Sequence, residues 1–307
     1  MKLAVMPNEK KIGGGAELLQ NQGSGLTDGN FNRSAENAFK LVEDISEIKE
    51  AITWVKECGD EWYTNYYISD IVAKQWIKNG QLKILIGENA AFLLRQKQSF
   101  SLLYYFAASD EGLFAGMRAL INETTETLSV DVLHKNDDDN KVGKIFRNIG
   151  FDKRIKLYRM RKGKSSISKA KLPKVCYAKR DDAEIIETML SNEFDELCEQ
   201  IPDIDEIKSA IDNRQIIILE DDNRVISFFW AERTGKTVLW RYWLTDPKYR
   251  SSSLAGLVLL RQVMALHEDA MQTFLWVRED NEKVIKAHEK NGFTKDGLVD
   301  DVYCLIR

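Results

Sequence analysis

The sequence predicts an α/β (α+β) protein with two consecutive domains, each a mixed, mostly antiparallel sheet flanked by helices. Two observations predict this class. Short apolar runs alternate with amphipathic runs at helical spacing along most of the chain, and the same order of elements occurs twice. The 307 residues are also enough to bury two cores.

The first copy follows residues 1–35, which are rich in Gly, Asn and Ser and are predicted to form a flexible leader. The copy itself is predicted over 36–162. Its apolar spacing predicts helices at 45–55, 68–77 and 112–122, a further helix ending near 147, and strands at 82–86, 90–94, 100–106, 127–133 and 154–160.

The second copy is predicted over 173–307, after a basic linker of small residues at 163–172. The turn residues 221–223 between two apolar runs predict a β-hairpin. The same spacing predicts strands at 175–180, 215–220, 225–231, 237–244 and 273–278, a helix that follows Asp181 and Asp182, helices at 204–212 and 257–266, a short helix ending at Lys290, and closing strands.

Composition is that of an ordinary soluble globular protein, with 44% hydrophobic and 30% charged residues. The net charge of −4 argues against general nucleic-acid binding, which needs a basic surface. No apolar run has the length of a membrane-spanning helix, and the N-terminus lacks the apolar core of a signal peptide. We therefore expect a cytoplasmic monomer or homodimer that binds neither nucleic acid nor membrane.

The cysteines and histidines are too scattered to predict a metal site. The four cysteines form no CxxC pair, and the three histidines lie far apart. Buried thiols are favoured over disulfides or metal ligands.

The most informative segment runs from the predicted strand 237–244 through a turn of small residues into the helix 257–266. The turn contains Arg250, Ser251, Ser252, Ser253, Leu254, Ala255 and Gly256. A small-residue turn before a helix presents unpaired backbone N–H groups and the positive end of the helix dipole. Such a turn binds phosphate without special side chains.

This segment, together with Asn281 after the next strand and the ending Gly292-Phe293, resembles the coenzyme A-binding core of the GNAT superfamily, the N-acetyltransferases related to general-control histone acetyltransferases. The family loop is Arg/Gln-x-x-Gly-x-Gly/Ala, and here Ser253 replaces the central glycine. The resemblance implies that the loop amides hold the pyrophosphate, that Leu244 and Thr245 end the strand that pairs with the pantetheine arm, and that Asn281 contacts the cofactor.

The resemblance also implies where the acyl-transfer chemistry occurs. The usual general acid is a tyrosine five residues before the final Phe, a position that is His288 here. His288 is either that acid, since histidine titrates near neutrality, or a polar surface residue. Glu232 is a candidate base, but an ion pair with Lys236 or Arg241 explains it equally well. Asp246 is another candidate, although Asp-Pro at a strand end is usual turn chemistry.

Strand alternation predicts that Trp240 and Tyr242 share one face of the sheet and that Arg241 and Trp243 share the other. Aromatic residues on these faces would suit an apolar or aromatic amine, or a larger acyl group. In the first copy, residues 107–112 carry two acidic residues, Asp110 and Glu111, where the loop would be, and carboxylates there would repel a pyrophosphate. We interpret the first copy as a degenerate relative of the second.

These features predict an N-acyltransferase, most simply an N-acetyltransferase, that moves an acyl group directly from acetyl-CoA or another acyl-CoA to a small-molecule or peptide amine, without a metal. Two alternatives stay open at this point. One is a non-catalytic binding or assembly module of the same fold, and the other is an enzyme whose donors are carried on an acyl-carrier protein.

Overall fold

A computed structural model describes residues 38–135, 140–164, 175–252 and 254–307, with backbone alone at 251, 252 and 254. The predicted leader at 1–35 and most of the predicted linker lie outside these residues. No helix in the described parts of the chain combines the length and apolar character needed to cross a membrane.

The helices begin where side chains satisfy their first backbone amides. The helix Ile45–Glu57 starts with a capping box of Asp44 and Glu47, and the helix Ile204–Asp212 starts with one of Asp203 and Glu206. In chain order the helices are α1 (Ile45–Glu57), α2 (Asp70–Lys78), α3 (Asp110–Glu123), α4 (Lys141–Asn148), α5 (Ala183–Glu193), α6 (Glu196–Glu199), α7 (Ile204–Asp212), α8 (Leu254–Leu266) and α9 (Glu282–Lys290).

The strands follow the predicted apolar runs closely, except that a single strand, Thr294–Leu305, replaces the predicted closing strands. They are β1 (Lys40–Leu41), β2 (Tyr63–Thr64), β3 (Leu82–Ile86), β4 (Ala90–Gln96), β5 (Ser101–Ala107), β6 (Leu128–Lys135), β7 (Asp152–Gly163), β8 (Val175–Tyr177), β9 (Ile216–Asp221), β10 (Arg224–Thr234), β11 (Thr237–Thr245), β12 (Gln272–Arg278) and β13 (Thr294–Leu305). The short elements β1, β2 and α6 were not predicted, because none is long enough to show a periodic pattern.

The described chain divides into two compact units. The smaller comprises the residues up to Leu93 and Tyr105–Thr124, and the larger comprises Leu94–Tyr104 and Thr125–Arg307. In the smaller unit, β1 pairs with β3, β3 lies beside β4, and β2 pairs with the end of β5. The division of the chain into 36–162 and 173–307 stays a prediction.

The larger unit contains a mixed, mostly antiparallel sheet in the order β5-β6-β13-β7-β12-β11-β10-β9-β8. The β5–β6 and β11–β12 pairs are parallel. The two closing strands are exchanged between the predicted copies. The last strand of the first copy, β7, pairs with β12, and the last strand of the second, β13, pairs with β6 as well as β7.

Helices flank the second half of this sheet on both faces. On one face, α8 and α9 contribute Leu259 and Ile285 to a core cluster that contains Trp240, with Trp243 packed against it. On the other face, α5 and α7 pack in a cluster that contains Trp230 and Tyr242. The sheet is therefore buried on both faces at β10 and β11.

The predicted distribution of residues over the two faces of β11 is wrong. Trp240 and Trp243 share one face, and the guanidinium of Arg241 lies 5.7 Å from the ring of Tyr242 on the other. The pairing of β10 with β11 shifts between Trp230 and Ala231, which leaves Arg241 as an extra residue opposite them. This β-bulge interrupts the alternation of side chains, so the simple period of two fails after Trp240.

Candidate functional site

The parallel strands β11 and β12 separate at the centre of the sheet. Their pairing runs from Thr237 with Gln272 to Trp240 with Leu275, and within the described residues no pairing joins them beyond this point. β11 continues to Thr245 and β12 to Arg278, while β12 stays paired with β7 along its full length. The two strand ends therefore form the arms of a V-shaped opening.

The backbone of one arm points into this opening. The amide of Asp246 donates to the carbonyl of Ile226 on β10 at 2.8 Å. Because antiparallel pairing alternates, Leu244 and Tyr242 also direct their backbone groups toward β10. Trp243 and Thr245 direct theirs to the opposite side, toward the opening. Amides there can donate to the carbonyl of an extended ligand.

The predicted phosphate loop follows at the end of β11. The backbone of Ser251 and Ser252 lies in a short 3₁₀ turn, Pro247–Ser252, and α8 begins at Leu254. Ser253 lies outside the described residues. Ala255 is buried in the core. A Cβ on Gly256 would lie 3.0 Å from Cζ2 of Trp243, so a small residue there lets α8 approach the strand closely.

Arg250 holds the loop in place. Its Nε donates to the carbonyl oxygen of Thr245 at 2.8 Å, and its Nη2 donates to a carboxylate oxygen of Glu193 at 2.6 Å. The guanidinium thus joins the end of β11 to the last residue of α5. Its side chain is 44% exposed, so it still presents charge at the N-terminal end of α8.

Asn281 is the N-cap of α9. Its Oδ1 accepts from the amide of Val284 at 3.3 Å, which explains an asparagine at this position by helix capping. Contact of its side-chain amide with a cofactor stays a prediction.

His288 lies on α9 in an aromatic environment and is 7% exposed. The ring centroids of Trp240, Trp243 and Phe293 lie 6.2, 6.3 and 5.6 Å from that of His288. Burial lowers the pKa of His288 to about 4, so its imidazole is neutral at pH 7. A catalytic role for His288 stays a prediction, and the role that suits this environment is donation of an N–H hydrogen bond by the neutral ring.

Glu232 forms the ion pair that was the alternative to a catalytic role. Its Oε1 lies 2.6 Å from Nη1 of Arg241, the extra residue of the bulge, and both side chains are largely buried. Arg241 in turn lies over the ring of Trp230 at 4.6 Å. Asp246 accepts from the amide of Lys248 at 2.9 Å, as expected of a turn residue. A role for Glu232 as general base stays a prediction.

Sequence reasoning missed Glu199, the last residue of α6. Its side chain is 11% exposed and lies 3.9 Å from Arg278 at the end of β12. Its helix has four residues, which is too few for an apolar pattern, and the acidic residues around it resemble a solvated turn in sequence.

In the first copy, side chains of the region that corresponds to the phosphate loop interact with the N-terminus of the following helix. The hydroxyl of Ser109 accepts from the amide of Gly112 at 3.0 Å and caps α3. Asp110 and Glu111 lie in the first turn of that helix, where their negative charges interact favourably with the positive end of the helix dipole. This arrangement favours the interpretation of a degenerate copy.

Comparison with known proteins agrees with this geometry. Residues 183–293 match the acetyltransferase (GNAT) family. Residues 183–293 form a GNAT domain. This segment contains the separated ends of β11 and β12, the loop at Arg250, Asn281 and His288. Among curated proteins, none matches the chain significantly.

Solved GNAT structures extend the likeness to most of the chain. A GCN5-related N-acetyltransferase from Sphaerobacter thermophilus is 11% identical, with a TM-score of 0.56 over 87% of this chain and 95% of that one. A tandem GNAT protein from the clavulanic acid biosynthesis pathway is 10% identical, with a TM-score of 0.54 over 87% and 98%. A third, from Kribbella flavida, is 9% identical, with a TM-score of 0.51 over 76% and 92%. The predicted fold class, with tandem GNAT-like halves, is confirmed.

Replacement of His288 by phenylalanine tests its buried, neutral state. The imidazole has a pKa of about 4 in the folded state against an ordinary value of 6.5, so it binds protons more readily after unfolding. The wild-type free energy of unfolding should therefore fall as the pH drops from 6.5 toward 4, by up to about 3 kcal/mol. His288→Phe lacks this loss, so its advantage over the wild type should grow in that range when unfolding is measured by denaturant titration. Parallel curves for the two proteins would contradict the assignment.

Proposed function

We propose that this protein is an acyl-CoA-dependent N-acyltransferase, most simply an N-acetyltransferase, whose donor site lies in the second half of the chain. The observation that carries the proposal is the separation of β11 from β12. The separated end of β11 leads to Arg250 and the N-terminus of α8. The GNAT family match over 183–293 supports the same reaction class in general.

The geometry supplies what direct transfer needs. An extended pantetheine arm would lie between the strand ends, with the amides of Trp243 or Thr245 directed at the thioester carbonyl. Arg250 and the backbone of 251–256 would hold the pyrophosphate, and Asn281 would contact the arm. The amine attacks the carbonyl carbon, the carbon–sulfur bond breaks, and the CoA sulfur takes up a proton. His288 would stabilise the departing sulfur by a hydrogen bond from its ring.

The acceptor is a small-molecule or peptide amine. Two alternatives follow from particular residues. Serine at 253 and histidine at 288 both depart from the family pattern and favour a binding module that takes CoA without turnover. A donor on an acyl-carrier protein presents the same pantetheine arm and needs only the opening itself.

Calorimetric titration of acetyl-CoA and of free CoA into the full chain tests the proposal. We expect binding in the micromolar range for both. The full chain is needed because β12 and β13 pair with β7 and β6, so residues 173–307 alone would lack these partner strands. Absence of binding would reject a CoA site and leave the carrier-protein donor or a scaffold. Binding without CoA release over a panel of amines would favour the module.

A further inference from the structure

The face of the sheet opposite His288 carries α6 across one arm of the opening. The hydroxyl of Tyr242 donates to the carbonyl oxygens of Glu199 and Gln200, at 3.3 and 3.2 Å. Tyr242 lies on β11 beyond its last pairing with β12. The C-terminal end of α6 is therefore fixed to β11 at the opening.

The side chain of Glu199 reaches the other arm. Its Oε2 lies 3.9 Å from Nη1 of Arg278, the last residue of β12, which is too long for a hydrogen bond. Arg278 is instead held by Asp280, through Nε to Oδ1 at 3.0 Å and Nη2 to Oδ2 at 2.7 Å. Glu199 accepts a hydrogen bond from the amide of Asp195 at 3.0 Å. Glu199 thus meets β11 through its backbone carbonyl and lies next to Arg278 of β12 through its carboxylate, which accepts no hydrogen bond from a cation among the described residues.

The surroundings of Glu199 favour proton uptake. Burial raises its pKa, and the carboxylates of Asp195 and Asp280 raise it further, against lowering by the Asp195 amide and by Arg278. A buried carboxylate short of positive charge binds a cation or a proton readily.

A second group on this face points to a ligand. Trp276 lies two residues before Arg278, so strand alternation places both on the same face of β12. Trp276 is 8% exposed, and its Nε1 has no hydrogen-bond partner among the described residues. A buried indole N–H without a partner is uncommon, because its desolvation is not compensated. Trp276 packs in a cluster with Leu239 of β11 and Phe274 of β12, and a polar atom of an acceptor that reached this N–H would satisfy it.

We propose that Glu199 binds the ammonium group of the acceptor and removes one of its protons, an inference that rests on the acyl-transfer function proposed above. The ammonium transfers a proton to the carboxylate, and the freed lone pair forms the N–C bond to the thioester carbonyl. As the C–S bond breaks, the sulfur leaves with the electron pair and takes the second proton of the nitrogen. The carboxyl then returns its proton to solvent.

The charges also specify the class of acceptor. Asp195 and Asp280 surround Glu199 with further negative charge, and Asp280 already engages the guanidinium of Arg278. A carboxylate next to the reacting amine would therefore be repelled. The acceptor is an alkylammonium compound without an α-carboxylate.

The test compares pentylamine with norleucine, which differs from it only by the α-carboxylate. With the full chain and saturating acetyl-CoA, we expect the wild type to acetylate pentylamine and to discriminate against norleucine. Glu199→Gln should lower kcat/KM for pentylamine by about 100-fold or more, and Glu199→Asp by less. The affinity for CoA should not change. The glutamine amide oxygen can still accept from the amide of Asp195, so the fold should be kept, as thermal unfolding would show.

Glu196→Gln is the matched control, because it removes one carboxylate from the same helix at an exposed position. It should leave kcat/KM within about threefold of the wild type. The pH profile adds a readout that a structural role would not change. The wild type should lose kcat/KM on the acid side as Glu199 is protonated, at a pH above the ordinary range of Glu, and Glu199→Gln should lack this limb.

Three results would overturn the inference. Glu199→Gln with kcat/KM close to that of the wild type would reject the residue while leaving the proposed function intact. Turnover of norleucine but not pentylamine, or of neither by a protein that binds acetyl-CoA, would reject the acceptor class. A wild-type protein that binds no CoA would remove the proposed function and this inference with it.

Discussion

The double variant Arg250→Ala, Ser253→Asp is expected to lose at least about 100-fold in affinity for CoA, which is about 2.7 kcal/mol of binding free energy. The first change removes the positive charge next to the N-terminus of α8, and the second puts a negative charge into the loop that would face the pyrophosphate. The carboxylate of Asp at position 253 would repel the negatively charged pyrophosphate. Calorimetric titration of free CoA measures the effect.

The fold of this variant should be kept. The ion pair of Arg250 with Glu193 is 44% and 37% exposed on its two sides, and such pairs contribute little to stability. Lys248→Ala is a suitable control, because it removes a positive charge from an exposed position in the same turn. The control should change the CoA affinity by no more than a few-fold. A double variant whose affinity is within threefold of the wild type would reject this loop as the pyrophosphate site.

Glu206→Ala is expected to lower the free energy of unfolding by about 3–5 kcal/mol. Glu206 lies 2.8 Å from Nη2 of Arg95 and 3.9 Å from Nζ of Lys97, and each of the three side chains is at most 13% exposed. Its Oε2 also accepts from the amide of Asp203 in the capping box of α7. The alanine variant leaves two cations buried with less negative charge and removes one of the two hydrogen bonds of the capping box, while Asp203 still caps the helix.

The same carboxylate makes stability depend on pH. Burial by itself would raise the pKa of Glu206, but Arg95, Lys97 and Arg241 lower it to about 2. Because this is below the unfolded value, the contribution is present above the unfolded pKa and is lost as the pH falls toward 2. Denaturant titration from about pH 7 to about pH 3 should show the wild type converging on Glu206→Ala. Asp205→Ala, at an exposed position in the same turn, should cost less than about 1 kcal/mol. Equal losses for the two variants would contradict the ion cluster.

Local patterns were enough to predict most elements. The predicted bounds of β3 and α7 agree with the structure, because a clear apolar run defines the strand and a capping box begins the helix. Long-range features were not predictable. The bulge at Arg241 reverses the faces of the residues that follow, and no residue type in the strand marks it.

The candidate site likewise combines residues that local sequence patterns predict with residues that only tertiary contacts reveal. The loop at Arg250 and the cap at Asn281 lie at element boundaries that sequence shows directly. Glu199 depends on how a four-residue helix is placed against β11 and β12, and only tertiary contacts reveal it. The burial of His288 likewise follows from three aromatic neighbours that are distant in sequence or on another element.

The exchange of closing strands makes the structure of each half depend on the other. β12, one arm of the opening, rests on β7, which is encoded in the first half. Deletion of the first half would remove β7, and β12 would then lose its paired neighbour on that side of the opening. The opening in the second half therefore depends on the first half for its structure, whatever chemistry the first half has kept.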